Sequence, residues 1–169
     1  MFHARTAPHY HVLVWVVLTC FFIADRVLKF IALEKLPDGG IFLLRNQTLG
    51  LIIEKNQGIA FSFPLPQFAI GGIVLVVVGY LISVMLRAFR HHEYVVVWGS
   101  GLMIVGAVAN AFDRIRFGHV IDFIRLTRWP TFNLADVYII FGVSILIGFY
   151  LFKKKFYARP TAHGNDRRN

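Results

Sequence analysis

Four long apolar runs dominate this chain and decide what it can fold into. A bilayer core about 30 Å thick takes about 20 residues of helix. Residues 12–33, 68–86, 94–112 and 134–152 each reach or approach that length. Lipid offers backbone groups no hydrogen-bond partner, so such spanning runs are read as helices. Composition agrees: 57% of the 169 residues are hydrophobic and 16% charged, with a mean hydropathy of +0.61. An average soluble domain carries about 25% charged residues, so a disordered chain and an ordinary soluble enzyme are both excluded. The net charge is +9, which in a soluble protein would suggest nucleic acid. Here Lys and Arg flank the apolar runs, as in proteins facing anionic lipid, and no nucleic-acid partner is expected. The expected fold is an all-α integral membrane protein: one membrane-embedded domain over 1–169, with four transmembrane helices and a small β-rich extracytoplasmic subdomain.

Four spans put both termini on one side. Placing them in the cytoplasm makes segments 1–11, 87–93 and 153–169 internal, and these are denser in Lys and Arg than the outer loops 35–67 and 113–133. The Lys153-Lys154-Lys155 run after the fourth span anchors this orientation. The first run could be taken for a cleaved leader, with Leu18-Thr19-Cys20 as its cleavage box. Thr19 suits that box poorly and the apolar run continues past it, so the segment is read as a span. Cys20 is the only cysteine and allows no internal disulfide. Loop 35–67 is too apolar for a plain connector. Pro37 to Gly40 mark a turn, and Ile41 to Leu44, Leu49 to Ile53 and Ile59 to Phe63 read as short surface strands.

The depth of the polar residues narrows the function. At 1.5 Å per residue, Asp25 lies about 20 Å from Val12, Lys29 about 26 Å, and Asn110 about 24 Å from Tyr94. Asp136 sits just inside the outer face, and Asp113, Arg114 and Asp122 are assigned to the outer loop. Polar groups thus gather in the outer third of the membrane. A channel or small transporter lined by Asp25, Asn110 and Asp136 would need them across the full thickness. Asp25 and Lys29, four residues apart, share a helix face in the favourable order for pairing, and are read first as a structural pair.

Two acids carry candidate chemistry. Residues 118–124 alternate enough to be extended, so Asp122 projects from a loop at the membrane edge. Asn133 is placed to cap the fourth span, which sets Asp136 in its first turn. At one depth the two carboxylates either share a proton and hydrolyse a peptide bond, as in aspartic proteases, or stand apart as solvated interfacial acids. No metal or cofactor is needed, and the seven histidines form no metal pair within a span. Trp98-Gly99-Ser100-Gly101 resembles the serine motif of rhomboid proteases. No span carries a histidine to activate Ser100, and Gly99, Ser100, Gly101, Gly106 and Ala107 are read as helix-packing residues.

Five pieces in order resemble bacterial lipoprotein signal peptidase, the type II signal peptidase. They are Asp25-x-x-x-Lys29, Asn56 to Ser62, Gly106 to Arg114, Gly118 to Phe123 and Phe132 to Asp136. The resemblance implies an intramembrane aspartic endopeptidase of the bacterial inner membrane with its site at the extracytoplasmic face. It would cut diacylated prolipoproteins before the lipidated cysteine. It implies Asp122 and Asp136 as the catalytic pair, Asn56, Asn110, Arg114 and Asn133 as residues lining or bracing the site, and Asp25 and Lys29 as a supporting pair. It also implies lipid and prolipoprotein as partners and inhibition by globomycin; no cofactor is expected, and the chain is expected to act as a monomer. Three features depart from the family pattern. Ala109 stands where glycine is usual, Arg26 where glutamine is common, and the stretch between Asp122 and Asp136 looks short.

Overall fold

A computed structural model describes residues 8–38, 40–43, 48–58, 66–127 and 129–157. Each apolar run lies inside one helix: α1 (Pro8–Lys35), α2 (Gln67–His91), α3 (Tyr94–Phe117) and α4 (Leu134–Tyr157). Strands β1 (Ile41–Phe42) and β2 (Leu49–Asn56) lie between α1 and α2, and β3 (Val120–Leu126) and β4 (Trp129–Phe132) between α3 and α4. They form one antiparallel sheet in the order β1-β2-β3-β4.

The surface is inverted relative to a soluble protein. Val16, Phe30, Leu75, Val76, Phe141 and Phe152 are exposed, whereas Asp25, Lys29, Asn110, Asp113 and Asp122 are buried. Among the described residues, α2, α3 and Leu134–Lys153 of α4 are long and apolar enough to cross a membrane. The reading of four spans therefore holds by composition for three. At 28 residues α1 has the length, but Asp25, Arg26 and Lys29 interrupt its apolar run.

Helix α3 is the hub, packing against α1, α2 and α4. Near the α2–α3 turn, Val14 and Leu18 of α1 meet Met85, Ala88 and Phe89 of α2 and Val97 of α3. The turn itself is tight. His92 adopts a left-handed conformation (φ 58°), and the Glu93 N–H bonds back to the Ala88 carbonyl at 3.0 Å.

Glycines set the spacing of α3 and α4. A Cβ built on Gly106 would lie 2.4 Å from the Ala135 carbonyl oxygen, and one on Gly142 would lie 2.5 Å from that of Gly99. The close approach holds the start of α4 against the end of α3 that carries Asn110. The packing role assigned to Gly99, Gly101 and Gly106 holds, with Gly101 against Leu18. Ser100 bonds only its own helix, to the Val96 carbonyl at 2.6 Å and the Val97 carbonyl at 3.2 Å, and so has no catalytic geometry.

Two sequence assignments change. Asp113 and Arg114 belong to the last turns of α3 rather than to a loop. The helix outlasts its apolar run because Gly118 (φ 76°) closes it, its N–H bonding the Arg114 carbonyl at 2.9 Å. Asp122 sits in the interior strand β3, not on a loop. Its strand pairs with β2 over Leu49 to Asn56 and with β4 beyond it, so the backbone of the segment is fixed on both sides. The expected turn at Pro37 is present, with the Gly40 N–H on the Pro37 carbonyl at 2.8 Å. Two of the three expected strands in 35–67 are seen, and the third, at Ile59 to Phe63, lies outside the described residues.

Replacing Gly106 or Gly142 by alanine should cost about 1–3 kcal/mol, as overpacking does. Gly148→Ala is the control, since a Cβ there meets nothing within 4 Å. Thermal unfolding in detergent should rank both seam variants below it.

Candidate active site

The site lies where the end of α3 and the start of α4 meet the sheet. Its backbone anchor is the start of α4. Asn133 caps that helix, its Oδ1 accepting the Asp136 N–H at 3.0 Å, while Asp136 Oδ2 accepts the Asn133 N–H at 3.2 Å. This reciprocal pair is a capping box. It satisfies two otherwise orphaned donors and fixes Asp136 in the first turn, where the helix dipole favours a negative charge.

The amide of Asn133 also faces the sheet. Its Nδ2 donates to Asp122 Oδ1 at 2.6 Å and to Asn110 Oδ1 at 3.1 Å. Asn110 Nδ2 in turn donates to Asp136 Oδ1 at 2.8 Å. From the other side, Asn56 Nδ2 donates to Asp122 Oδ2 at 2.9 Å. One asparagine therefore touches both acids, and two more complete their shells. Asp122 is 2% exposed, whereas Asp136 is only half-buried. Burial chiefly pushes the Asp122 carboxyl up to about 6. The nearby charge of Asp136 adds to this, while the bonds from Asn56 and Asn133 and the charge of Lys29 oppose it.

Arg114 braces the rim, its Nη2 donating to the Gly58 carbonyl at 2.7 Å. Gly58 is itself held by its N–H on Asn56 Oδ1 at 3.0 Å. The arginine thus fixes the turn that aims Asn56 at Asp122.

Beneath the acids lies a buried ionic cluster. Lys29 donates to Asp113 Oδ2 at 2.6 Å and to Asn110 Oδ1 at 3.2 Å, and forms an ion pair with Asp25 Oδ2 at 3.2 Å. Arg26 pairs with both Asp25 and Asp113. Asp25 Oδ1 accepts the Ala135 N–H at 3.0 Å. Asp25 and Lys29 are a pair, as their spacing suggested, but within a foursome. Asp113 and Arg26 were not singled out as site residues. The helical spacing from Asn110 to Asp113 was the signal for the first, and the uncompensated charge of Arg26 the signal for the second. The structure thus brings together Asp122, Asp136, Asn56, Asn110, Arg114 and Asn133, with Asp25 and Lys29 directly behind. Among the described residues, no cluster of His, Cys, Asp or Glu is arranged to hold a metal ion. The arrangement joins two acids through a common asparagine and holds each carboxyl in a fixed direction.

The family model described as Signal peptidase (SPase) II matches residues 17–152. A lipoprotein signal peptidase of Halothermothrix orenii is 30% identical over 144 residues, covering 85% of this chain and 97% of the relative. One of Dichelobacter nodosus is 34% identical over 135 residues, covering 75% and 85%. A bacterial membrane enzyme solved by the in meso method at 2.3 Å superposes with a TM-score of 0.76 at 21% identity, covering 97% of this chain and all of the other.

Two outcomes test this geometry. Asn133→Ala should cost about 1–2 kcal/mol of stability through the lost cap, and Asn133→Ser, which keeps a capping oxygen, should recover most of it in the same unfolding assay. Asp122 binds its proton more tightly folded than unfolded, so its contribution to stability is lost as pH rises from about 4 through about 6. The stability difference between Asp122→Asn and wild type should therefore move in the variant's favour over that interval.

Proposed function

The chain belongs to the signal peptidase (SPase) II family, and from that membership we propose that it is an intramembrane aspartic endopeptidase removing signal peptides from diacylglyceryl-modified prolipoproteins, with Asp122 and Asp136 as its catalytic pair. It is a membrane protein and a protease by family. The observation that carries the finer reading is the bridging of the two acids by Asn133.

The reaction follows from the environments of the acids. In the state where the pair holds one proton, burial favours the neutral form of Asp122, and the proton is placed there. Asp136, at a helix N-terminus that favours a negative charge, is then the ionised partner. A water between them gives a proton to Asp136 as its oxygen attacks the scissile carbonyl carbon, and Asp122 donates its proton to the carbonyl oxygen. The tetrahedral intermediate then collapses. The C–N bond breaks, Asp136 returns the proton to the leaving amine, and Asp122 recovers its own from the diol. Asn56, Asn110 and Asn133 hold the carboxylates in line, and Arg114 braces the rim near the substrate backbone. Chemistry of this kind uses no metal or cofactor.

Helix α1 acts as the fourth span. Its charges face protein rather than lipid, Asp25 being fully buried and Lys29 2% exposed, which removes the main penalty against crossing. The termini then lie in the cytoplasm of a bacterium and the site at the outer boundary, where a substrate's signal helix and acyl chains lie in the bilayer. Because one chain supplies both acids and all three asparagines, a monomer suffices. A globomycin-type cyclic peptide would compete for the same cleft.

Purified protein should convert a diacylated preprolipoprotein to the shorter form on a gel. Asp122→Asn and Asp136→Asn should each lower turnover at least about 10³-fold, since paired catalytic groups act as a unit. Wild-type cleavage by either folded variant would overturn the mechanism. Removing the acyl chains should weaken binding by about 0.8 kcal/mol per CH₂ no longer buried.

A further inference from the structure

Arg26 is the one charged residue of the buried cluster that departs from the family pattern, and both of its terminal guanidinium nitrogens are bonded. One guanidinium nitrogen pairs with Asp113, the other with Asp25 and, at 3.1 Å, with the Ala109 carbonyl. Its plane lies near the rings of Phe112 and Phe22, 5.1 and 5.6 Å from their centroids. Its Nε is buried without a hydrogen-bond partner, so its directed bonding runs through the two terminal nitrogens.

The charges explain why that matters. Asp25 and Asp113 are two buried acids; Lys29 alone would leave one negative charge uncompensated in an apolar bundle. Arg26 brings the cluster to neutrality. It also shares the pull on Lys29. With both acids already bonded to Arg26, the ammonium is able to donate to Asn110 Oδ1 as well as to Asp113. That bond, with the one from Asn133, orients the Asn110 amide so that its Nδ2 points at Asp136.

We propose that Arg26 is a positioning residue for Asp136: by neutralising the Asp25–Lys29–Asp113 cluster it holds Lys29 on Asn110, and through Asn110 it fixes the direction of the Asp136 carboxylate. The inference rests on the proteolytic reading above. The charged and titratable groups around the two acids are Asp25, Arg26 and Lys29 on α1, Glu54 opposite Asp122 on β2, Asp113 and Arg114 on α3, and Tyr138 on α4.

The test compares Arg26→Gln, Arg26→Lys and Arg26→Gln/Asp113→Asn in the full chain, by cleavage kinetics on a diacylated preprolipoprotein and by infrared titration of the protonated carboxyl band, with Asp122→Asn to identify it. Arg26→Gln should lower kcat about tenfold, as small misplacements of reacting groups do, with KM little changed. It leaves an extra negative charge near the pair, so both the alkaline limb of kcat and the carboxyl titration should move upward by about half a pH unit or more. Arg26→Lys keeps the charge but loses the fork. It should hold the titration at the wild-type position while kcat recovers only in part. The double variant restores neutrality and should return the titration toward wild type, which also serves if Arg26→Gln folds poorly. An unmoved titration with wild-type kcat in Arg26→Gln overturns the proposal, as does a titration alike in the lysine, glutamine and double variants. Full cleavage by Asp122→Asn and Asp136→Asn would instead sink the proteolytic reading, and the infrared titration would still decide Arg26.

Discussion

Burying ions inside an apolar bundle is the constraint on which this structure turns. An isolated carboxylate or ammonium taken out of water costs several kcal/mol even after relaxation. Here two acids and two cations meet within reach of one another, and each acid also accepts a backbone N–H: Asp25 from Ala135, and Asp113 from Ile121 at 3.3 Å. These bonds tie α1 to the start of α4 and α3 to the start of β3. The requirement that no charge be left unpaired thereby fixes the elements that present Asp136 and Asp122.

A second economy lies in Asn133. Its carbonyl oxygen caps α4 while its amide nitrogen reaches Asp122 and Asn110. Aspartate could cap but has no donor, and serine could cap but reaches less far. The residue joins helix termination to the alignment of the acids, so the local rule that starts a helix also orders the site. The glycine seam supplies the remaining condition, since a side chain at Gly106 would push Ala135, and with it this cap, away from Asn110.

Much of this was legible in the chain. Apolar runs located all four helices within a few residues, and the Asn133 cap placed Asp136 in its first turn. What failed did so for physical reasons. Hydropathy ended the third helix before Asp113 because it counts charge as a stop, whereas buried pairing let the helix continue to Phe117. The same rule is why α1 fails a composition test although its charges face inward. Alternation marked residues 118–124 as extended but could not say that β2, more than sixty residues earlier, would pair with them. The meeting of Asp122 with Asn56 is a product of topology, and no local pattern encodes it. Two partners of Arg26, Asp113 and the Ala109 carbonyl, lie more than eighty residues away on α3, which explains why it stood out only as an oddity.

The sheet joins segments that flank the α2–α3 hairpin, and the Ala135 N–H finds Asp25 across 110 positions of sequence. Contacts so distant along the chain form late. During synthesis the first three helices are made before Asp136, which arrives only with the last helix, so on the proposed reading half of the pair is still missing at that stage. If the two acids act together as proposed, the nascent polypeptide stays chemically inert until its final segment docks, and no hydrolytic centre exists in any partly made form.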